Sequence, residues 1–417
     1  MAAETFEIER LGSQGDGIAA HAQGPVFIPF TLPGETVMVA REKSKAMMLS
    51  LLDASPDRIA PVCRHFGPDG ENGTCGGCAL QHLERSAYDA FKRQVVVDAL
   101  AAHGIDCPVA PLVTSGPGER RRASFAGRRT ENGILLGFSS PESHHIVAIE
   151  ECPVLSPTLF ARLPALKLLA GILVSTSDPF RIAVMETETG LDISFAGIKA
   201  PSEKRRQAAT RAVMSVRGIA RLAIGEEIIV EPVKPELTLS GTRVFPPPAS
   251  FAQATLGAEE AMTDIVVRHL KGSKRVADLF SGFGTFALRL AAKSRVHAVE
   301  FDGPALAALD QAVRNRQGLK QVTTERRDLF RRPLLPRELA PFDGVVFDPP
   351  RAGAKEQAEE LARSDVARIV AVSCNPQTLG RDLAILRDGG YSIDTVVPVD
   401  QFFWSAHVEA VACLRRK

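Results

Sequence analysis

Two short apolar runs in this 417-residue chain both end in polar residues and proline, and few folds accommodate such a pair. They are Asp343-Gly-Val-Val-Phe-Asp-Pro-Pro-Arg-Ala-Gly353 and, about one helix later, Ile369-Val-Ala-Val-Ser-Cys-Asn-Pro376. Runs rich in Val and Ile, with no alternating polar face, belong to parallel strands buried on both sides, and their carboxyl ends are where such sheets open onto a site. The first run delivers a carboxylate, Asp348, and the second a thiol, Cys374. If the two strands are neighbours, both groups enter one crevice.

The residues before them supply the rest of such a sheet. Arg275-Val-Ala-Asp-Leu-Phe280 reads as a strand that runs into the glycine loop Ser281-Gly-Phe-Gly-Thr285 and then a helix with Ala287, Leu288 and Ala291. That order opens a doubly wound, Rossmann-like nucleotide-binding sheet. Only Gly282 and Gly284 are present, without the third glycine of pyrophosphate-binding loops, so a nucleoside lacking pyrophosphate fits better. The next strand, Arg295 to Glu300, ends in an acid placed to bind ribose hydroxyls, and a third, Val322 to Asp328, also ends in an acid. Pro304 and Gly318 bracket the helix between them, and the runs Val396 to Phe403 and His407 to Cys413 close the chain. Pro246-Pro-Pro248 marks the junction before this unit, and Ser250-Phe-Ala-Gln253 is expected at the start of a helix.

Upstream, residues 1–57 alternate short apolar runs with glycine turns, among them Phe6 to Leu11, Val26 to Phe30 and Pro33 to Ala40. This pattern predicts a small closed β-barrel, of a type that often binds RNA. With five basic and eight acidic residues up to Ala60, it is not a basic module. Residues 58–245 read as an α+β unit, beginning with an amphipathic helix over Leu83 to His103 that places Tyr88, Phe91, Val95 and Ala99 on one face. Two basic patches fall here: five arginines between Arg120 and Arg129, and seven basic residues against one acid between Lys199 and Arg221. Either could grip an RNA backbone or simply form a solvated face. The expected architecture is therefore multi-domain: barrel over 1–57, α+β unit over 58–245, and α/β unit over 246–417.

The formal charge of +1 excludes a global field for nucleic acid, so such contacts must be local. No run of 18 apolar residues and no signal-like N-terminus occurs, which predicts a cytoplasmic protein without a membrane. Nothing in the sequence calls for an obligate protein partner. Seven cysteines are unevenly placed, and Cys75-Gly-Gly-Cys78 lies on a glycine-rich loop with Cys63 upstream and Cys152, followed by proline, about seventy residues on. In a reducing compartment such a subset is expected to bind metal. Four thiolates suit either a structural zinc or an iron–sulfur cluster, and the spacing alone leaves both open.

Taken together, the glycine loop, Glu300, Asp328, Asp348-Pro-Pro-Arg351, Ser373-Cys-Asn-Pro376 and His407-Val-Glu409 resemble the RNA uracil-5 methyltransferase family. The resemblance covers nearly the whole chain. It implies an S-adenosylmethionine-dependent enzyme that methylates carbon 5 of a uridine, most often in 23S rRNA and in sister enzymes in the T-loop of tRNA. It further implies a TRAM-type N-terminal barrel, a [4Fe-4S] cluster on Cys63, Cys75, Cys78 and Cys152, and Cys374 as the nucleophile on carbon 6. By the same resemblance Glu409 is the base that removes the carbon 5 proton. Gln253, Phe280, Gly282, Glu300, Asp328 and Asp348 would surround S-adenosylmethionine. The chain departs from the family pattern in the longer gap between Cys63 and Cys75, in Thr255, in Thr285 and in Trp404. A reading of another class is a non-catalytic RNA-binding protein that has kept this scaffold, against which the intact Cys374 and Glu409 argue.

Overall fold

A computed structural model describes residues 3–416. The described residues form three large sheets and one hairpin. In the first sheet six strands lie between Ala3 and Asp53, wrapped around Phe6, Ile8, Ala19, Val26, Ile28, Val37 and Val39. The run expected as one strand from Phe6 to Leu11 is broken into Ala3–Glu7 and Arg10–Leu11. The break falls at Ile8, which turns into this core and exchanges backbone hydrogen bonds with Gly34 and Glu35.

The second sheet has seven strands between Arg122 and Val230, backed by helices Leu163–Leu173 and Glu203–Ser215. Its members include Gly133–Ser139, Ile146–Ala148, Phe180–Thr187 and Gly190–Ala196.

The third sheet holds the site. Its order is Val322–Arg326, Arg295–Glu300, Arg275–Leu279, Gly344–Phe347, Arg368–Ser373, Glu409–Arg416 and Tyr391–Val399. The first five are parallel, and Glu409–Arg416 runs antiparallel to both of its neighbours. Both faces are covered by apolar clusters, as the continuous apolar strands require. The two runs that carry Asp348 and Cys374 are adjacent, in register from Gly344 against Arg368 to Phe347 against Ala371.

The helix Arg85–Ala101 precedes the second sheet in sequence, yet Val96 and Leu100 pack into the core of the third. Just after it, Val109 and Val113 pair in parallel with Val396 and Val399, extending that sheet by one more edge. The buried face of the helix differs from the sequence expectation: Tyr88, Lys92, Val96, Ala99 and Leu100 are inside, while Phe91 and Val95 are only partly buried. A lysine in this face is possible because a buried carboxylate, Asp400, meets it. Among the described residues no helix is long and apolar enough to cross a membrane.

Candidate active site

The carboxyl ends of four adjacent parallel strands form one rim. Phe280 follows Arg275–Leu279, Glu300 ends its strand, Asp328 lies two residues past Val322–Arg326, and Asp348 follows Gly344–Phe347. Glu300 is clamped to the glycine loop, for its Oε2 accepts the Gly282 N–H at 3.0 Å while Oε1 accepts from Phe301 and Asp302. Phe280 adopts a left-handed φ of 60°, a conformation that is strained for a bulky side chain and held here by its surroundings. Its ring lies 5.5 Å from that of Phe330, beside Asp328, whose Oδ1 accepts the Phe330 N–H. At Gly284, φ is 100° and a Cβ would come within 2.5 Å of Leu309, so this turn requires glycine. The arrangement is a crevice with an apolar aromatic wall and acids at its edge, suited to a nucleoside.

Cys374 leaves the end of Arg368–Ser373 one strand further on, and Glu409 begins the antiparallel neighbour, where Ser373 pairs with Ala410. Only because that last strand is antiparallel does its start lie at the same edge as the end of the cysteine strand. Asn375 caps the helix Pro376–Asp388 by accepting from Gln377, and its Nδ2 donates to the Arg351 carbonyl, which holds the Pro-Pro-Arg loop beside the thiol. Burial pushes the Cys374 thiol up to about 11, with Glu409 and Asp348 adding to the shift and Arg351 opposing it. The free site therefore holds a thiol; thiolate formation needs more positive charge than Arg351 and the helix start provide.

A chain of side-chain hydrogen bonds joins the two carboxyls. Gln401 Oε1 accepts the Ala254 N–H at 2.6 Å, and its Nε2 donates to Glu409 Oε1 at 2.5 Å and to Gln253 Oε1 at 2.8 Å. Gln253 Nε2 then donates to Asp348 Oδ2 at 3.1 Å. Gln253 was expected at a helix start; it lies instead in the extended stretch before the helix Leu256–His269, whose cap is Thr255. Burial, and then the charge of Asp348, push Glu409 up to about 8, while the Gln401 bond and Arg122 pull the other way. Burial also raises Asp348, to about 7, against the bond from Gln253.

Three contributors were not singled out from the sequence. Gln401 is 1% exposed and ties both halves of the site together. Arg122 faces Glu409 and stacks on the exposed ring of Phe251 at 4.3 Å. Asp278, wholly buried beneath the glycine loop, is held far above its ordinary pKa by burial, then by Asp348 and Glu300. The polar pair at the end of Tyr391–Val399 is the signal that could have revealed Gln401, by the same argument that revealed Cys374.

The first basic patch is largely turned inward, whereas most of the second stays at the surface. Arg121 pairs with buried Glu259 at 2.6 Å, Arg129 donates to backbone carbonyls, and Arg221 pairs with buried Asp192 at 2.6 Å. Lys199, Lys204, Arg211 and Arg217 remain exposed. The first patch therefore builds the site and its supports, not an open phosphate-gripping face.

Cys63, Cys75, Cys78 and Cys152 all line one cavity of about 1000 Å³. His407, Phe402 and Arg120 are in its wall, so it borders the loop that leads to Glu409. Gly76 donates to the Ser139 carbonyl, and a Cβ there would come within 2.6 Å of that oxygen, so the close approach of the cysteine loop to the Ser139 backbone needs glycine. Trp404, one of the departures from the family pattern, packs on Phe403 at 4.3 Å, and its carbonyl accepts the N–H groups of Ala79 and Leu80. It thus couples the cysteine loop to the active-site loop. Among the described residues no group of three or more His, Cys, Asp or Glu is spaced to hold a metal ion. A zinc ion with Zn–S bonds of about 2.3 Å would need such tight spacing.

A family model described as tRNA (uracil-5-)-methyltransferase matches residues 204–417. An uncharacterized RNA methyltransferase of Agrobacterium fabrum is 58% identical over the whole of both chains. A 23S rRNA (uracil(1939)-C(5))-methyltransferase of Chromohalobacter salexigens is 33% identical over 99% of this chain and 90% of its own. Among solved structures, the tRNA (uracil-54, C5)-methyltransferase of Pyrococcus abyssi, in complex with S-adenosyl-L-homocysteine, superposes with a TM-score of 0.73 at 25% identity, covering 98% of this chain and 99% of that one.

Proposed function

This chain belongs to the RNA uracil-5-methyltransferase family and is an S-adenosylmethionine-dependent transferase, and from that premise we propose that it methylates one uridine of 23S rRNA through a covalent adduct of Cys374. The observation that carries the reading is the meeting of Cys374, Glu409 and Asp348 at one sheet edge, beside a nucleoside crevice. Carbon 5 of uracil is a weak nucleophile. Attack of the Cys374 thiolate on carbon 6 turns the ring into an enolate that can accept a methyl group. Glu409 then takes the proton from carbon 5, the carbon 5 to carbon 6 double bond re-forms, and Cys374 leaves as thiolate.

Gln253, Phe280, Gly282, Glu300, Asp328 and Asp348 would hold S-adenosylmethionine, with Glu300 at the ribose. The bound cofactor supplies the methyl group on a sulfonium, whose positive charge favours the ionised forms of Asp348, Glu409 and Cys374. The target base must be out of its stack to reach Cys374, which favours a loop or a remodelled hairpin.

Residues 1–57 would serve as the TRAM-type RNA-binding module. Cys63, Cys75, Cys78 and Cys152 would hold a [4Fe-4S] cluster: four soft donors around one roomy cavity suit a polynuclear centre better than a single ion. No redox step appears in the methyl transfer, so the cluster's part is to fix the cysteine loop and position RNA.

The rRNA assignment rests on the 33% identity to the 23S rRNA enzyme; the full-length similarity to the Pyrococcus abyssi tRNA enzyme favours the second reading, a T-loop uridine. Methyl transfer from labelled S-adenosylmethionine to unmethylated 23S rRNA and to unmethylated tRNA, with mapping of the product, separates them. Label as 5-methyluridine in rRNA alone is the expected result; label in tRNA alone overturns the substrate, and label in neither returns the chain to a scaffold without catalysis.

A further inference from the structure

We propose that Gln401 is the residue that positions and tunes the base Glu409: its amide fixes Oε1, so that Oε2 is the oxygen that takes the carbon 5 proton. This deepens the proposed reaction and rests on it. A backbone group sets the direction of these hydrogen bonds. The Ala254 N–H can only donate, so the Gln401 side-chain atom it meets at 2.6 Å must be the carbonyl oxygen. That fixes the other end of the amide as NH2, with two hydrogens, and two acceptors lie within reach: Glu409 Oε1 at 2.5 Å and Gln253 Oε1 at 2.8 Å. The same logic passes on, since Gln253 must then turn its own NH2 toward Asp348. One backbone N–H thereby sets the polarity of the whole chain between the two carboxyls.

The consequence for Glu409 is asymmetric. Its Oε1 accepts from Gln401, whereas its Oε2 is buried without any hydrogen-bond partner. A buried oxygen with no partner is costly to keep and is best explained by a ligand that completes it. In the proposed reaction the C5–H bond breaks, an O–H bond forms at Oε2, the released pair closes the carbon 5 to carbon 6 double bond, and the C6–S bond breaks to give the Cys374 thiolate. A donated hydrogen bond at Oε1 stabilises the carboxylate and so favours the form that can act as base. The other charged or titratable groups that face Glu409 are Asp348, from the end of Gly344–Phe347, Cys374, from the end of Arg368–Ser373, and Arg122, from Arg122–Thr130. None of them donates to Oε1. Gln401 itself is held from the opposite side, because its neighbour Asp400 is locked by Tyr88 and Lys92.

The test is the pH profile of methyl transfer from labelled S-adenosylmethionine to whichever unmethylated RNA the unsubstituted enzyme labels. Gln401→Met keeps the length and removes the donor; Gln401→Glu replaces it with a second carboxyl; Glu409→Gln removes the base. Each profile is normalised to that variant's own maximum, so a partly folded preparation does not distort it. For Gln401→Met the rising limb should move to higher pH by about one unit, with kcat near neutrality down about tenfold, KM for S-adenosylmethionine within about twofold, and recovery at alkaline pH. Gln401→Glu should move it further. Unshifted midpoints in both variants, or loss of activity at every pH, overturn the role given to Gln401. If Glu409→Gln keeps the original rate and profile, the failure lies in the base assignment of the proposed function and not in Gln401 alone.

Discussion

Lys92 Nζ lies 2.9 Å from Asp400 Oδ1, and both side chains are shut off from solvent. The same ammonium donates to the carbonyls of Phe402 and His407, and Tyr88 Oη donates to Asp400 Oδ2 at 2.6 Å. A helix from early in the chain thus grips the loop that carries Gln401 and leads to Glu409. A buried pair of this kind adds little net stability over apolar packing, but breaking it leaves a charge stranded.

Lys92→Met should therefore cost about 3–5 kcal/mol of stability, read as a lower urea midpoint. Methyl transfer should fall at least about tenfold, because the loop that places Gln401 loses three of its anchors. Lys92→Arg should not restore it, since the three acceptors surround a point charge and not a planar fork. An enzyme with unchanged midpoint and rate would refute the anchoring role.

Cys374→Ala should abolish methyl transfer, by a factor of at least about a thousand, while RNA and S-adenosylmethionine affinities stay within about twofold. Undiminished transfer by this variant would remove the nucleophile.

Glu409→Gln should trap the intermediate. With Cys374 intact and no base, an RNA–protein adduct should survive on a denaturing gel in the presence of S-adenosylmethionine, and the double variant Cys374→Ala/Glu409→Gln should show none. Absence of adduct in the single variant, with activity lost, would point to a role for Glu409 before attack.

The raised pKa values of Asp348 and Glu409 carry a stability signature. Both folded carboxyls keep their protons to higher pH than unfolded ones, so between about pH 4 and about 8 the folded state binds more protons and stability falls as pH rises. Urea unfolding of the free enzyme at about pH 6 and about pH 8.5 should show this fall, and Glu409→Gln should reduce it by roughly 2 kcal/mol. A fall of equal size in the variant would show that Glu409 is already ionised at the lower pH.

Cys78→Ser should remove the visible absorbance of an anaerobically prepared cluster and weaken RNA binding through the Trp404 contacts with Ala79 and Leu80. A colourless unsubstituted protein with stoichiometric zinc would exclude iron–sulfur. Unchanged folding and RNA affinity after cluster loss would exclude the positioning role.

Much of the site was legible because it follows from local pattern. Continuous apolar runs with polar ends mark buried parallel strands, so Glu300, Asp348 and Cys374 announce themselves at strand ends, and Gly284 at a turn that only glycine can make. Lys92 was missing from the expected helix face, and the arginines at 121 and 221 were assigned to surface patches, for one reason: composition treats a charged side chain as solvated, whereas each of these meets a carboxylate that comes from elsewhere in the fold. Periodicity alone therefore placed the helix face one position away from where Asp400 drew it.

The parallel sheet, the glycine loop and the chemistry available at each strand end follow from local sequence, because they depend on residues close together in the chain. The tertiary structure alone decided which of those groups act together. The antiparallel pairing brings the start of Glu409–Arg416 to the end of Arg368–Ser373, and Gln401 spans the gap from Ala254 to Glu409. Hydrogen-bond polarity passed between side chains 148 residues apart leaves no trace in local pattern, since it depends on contact in space and not on spacing along the chain.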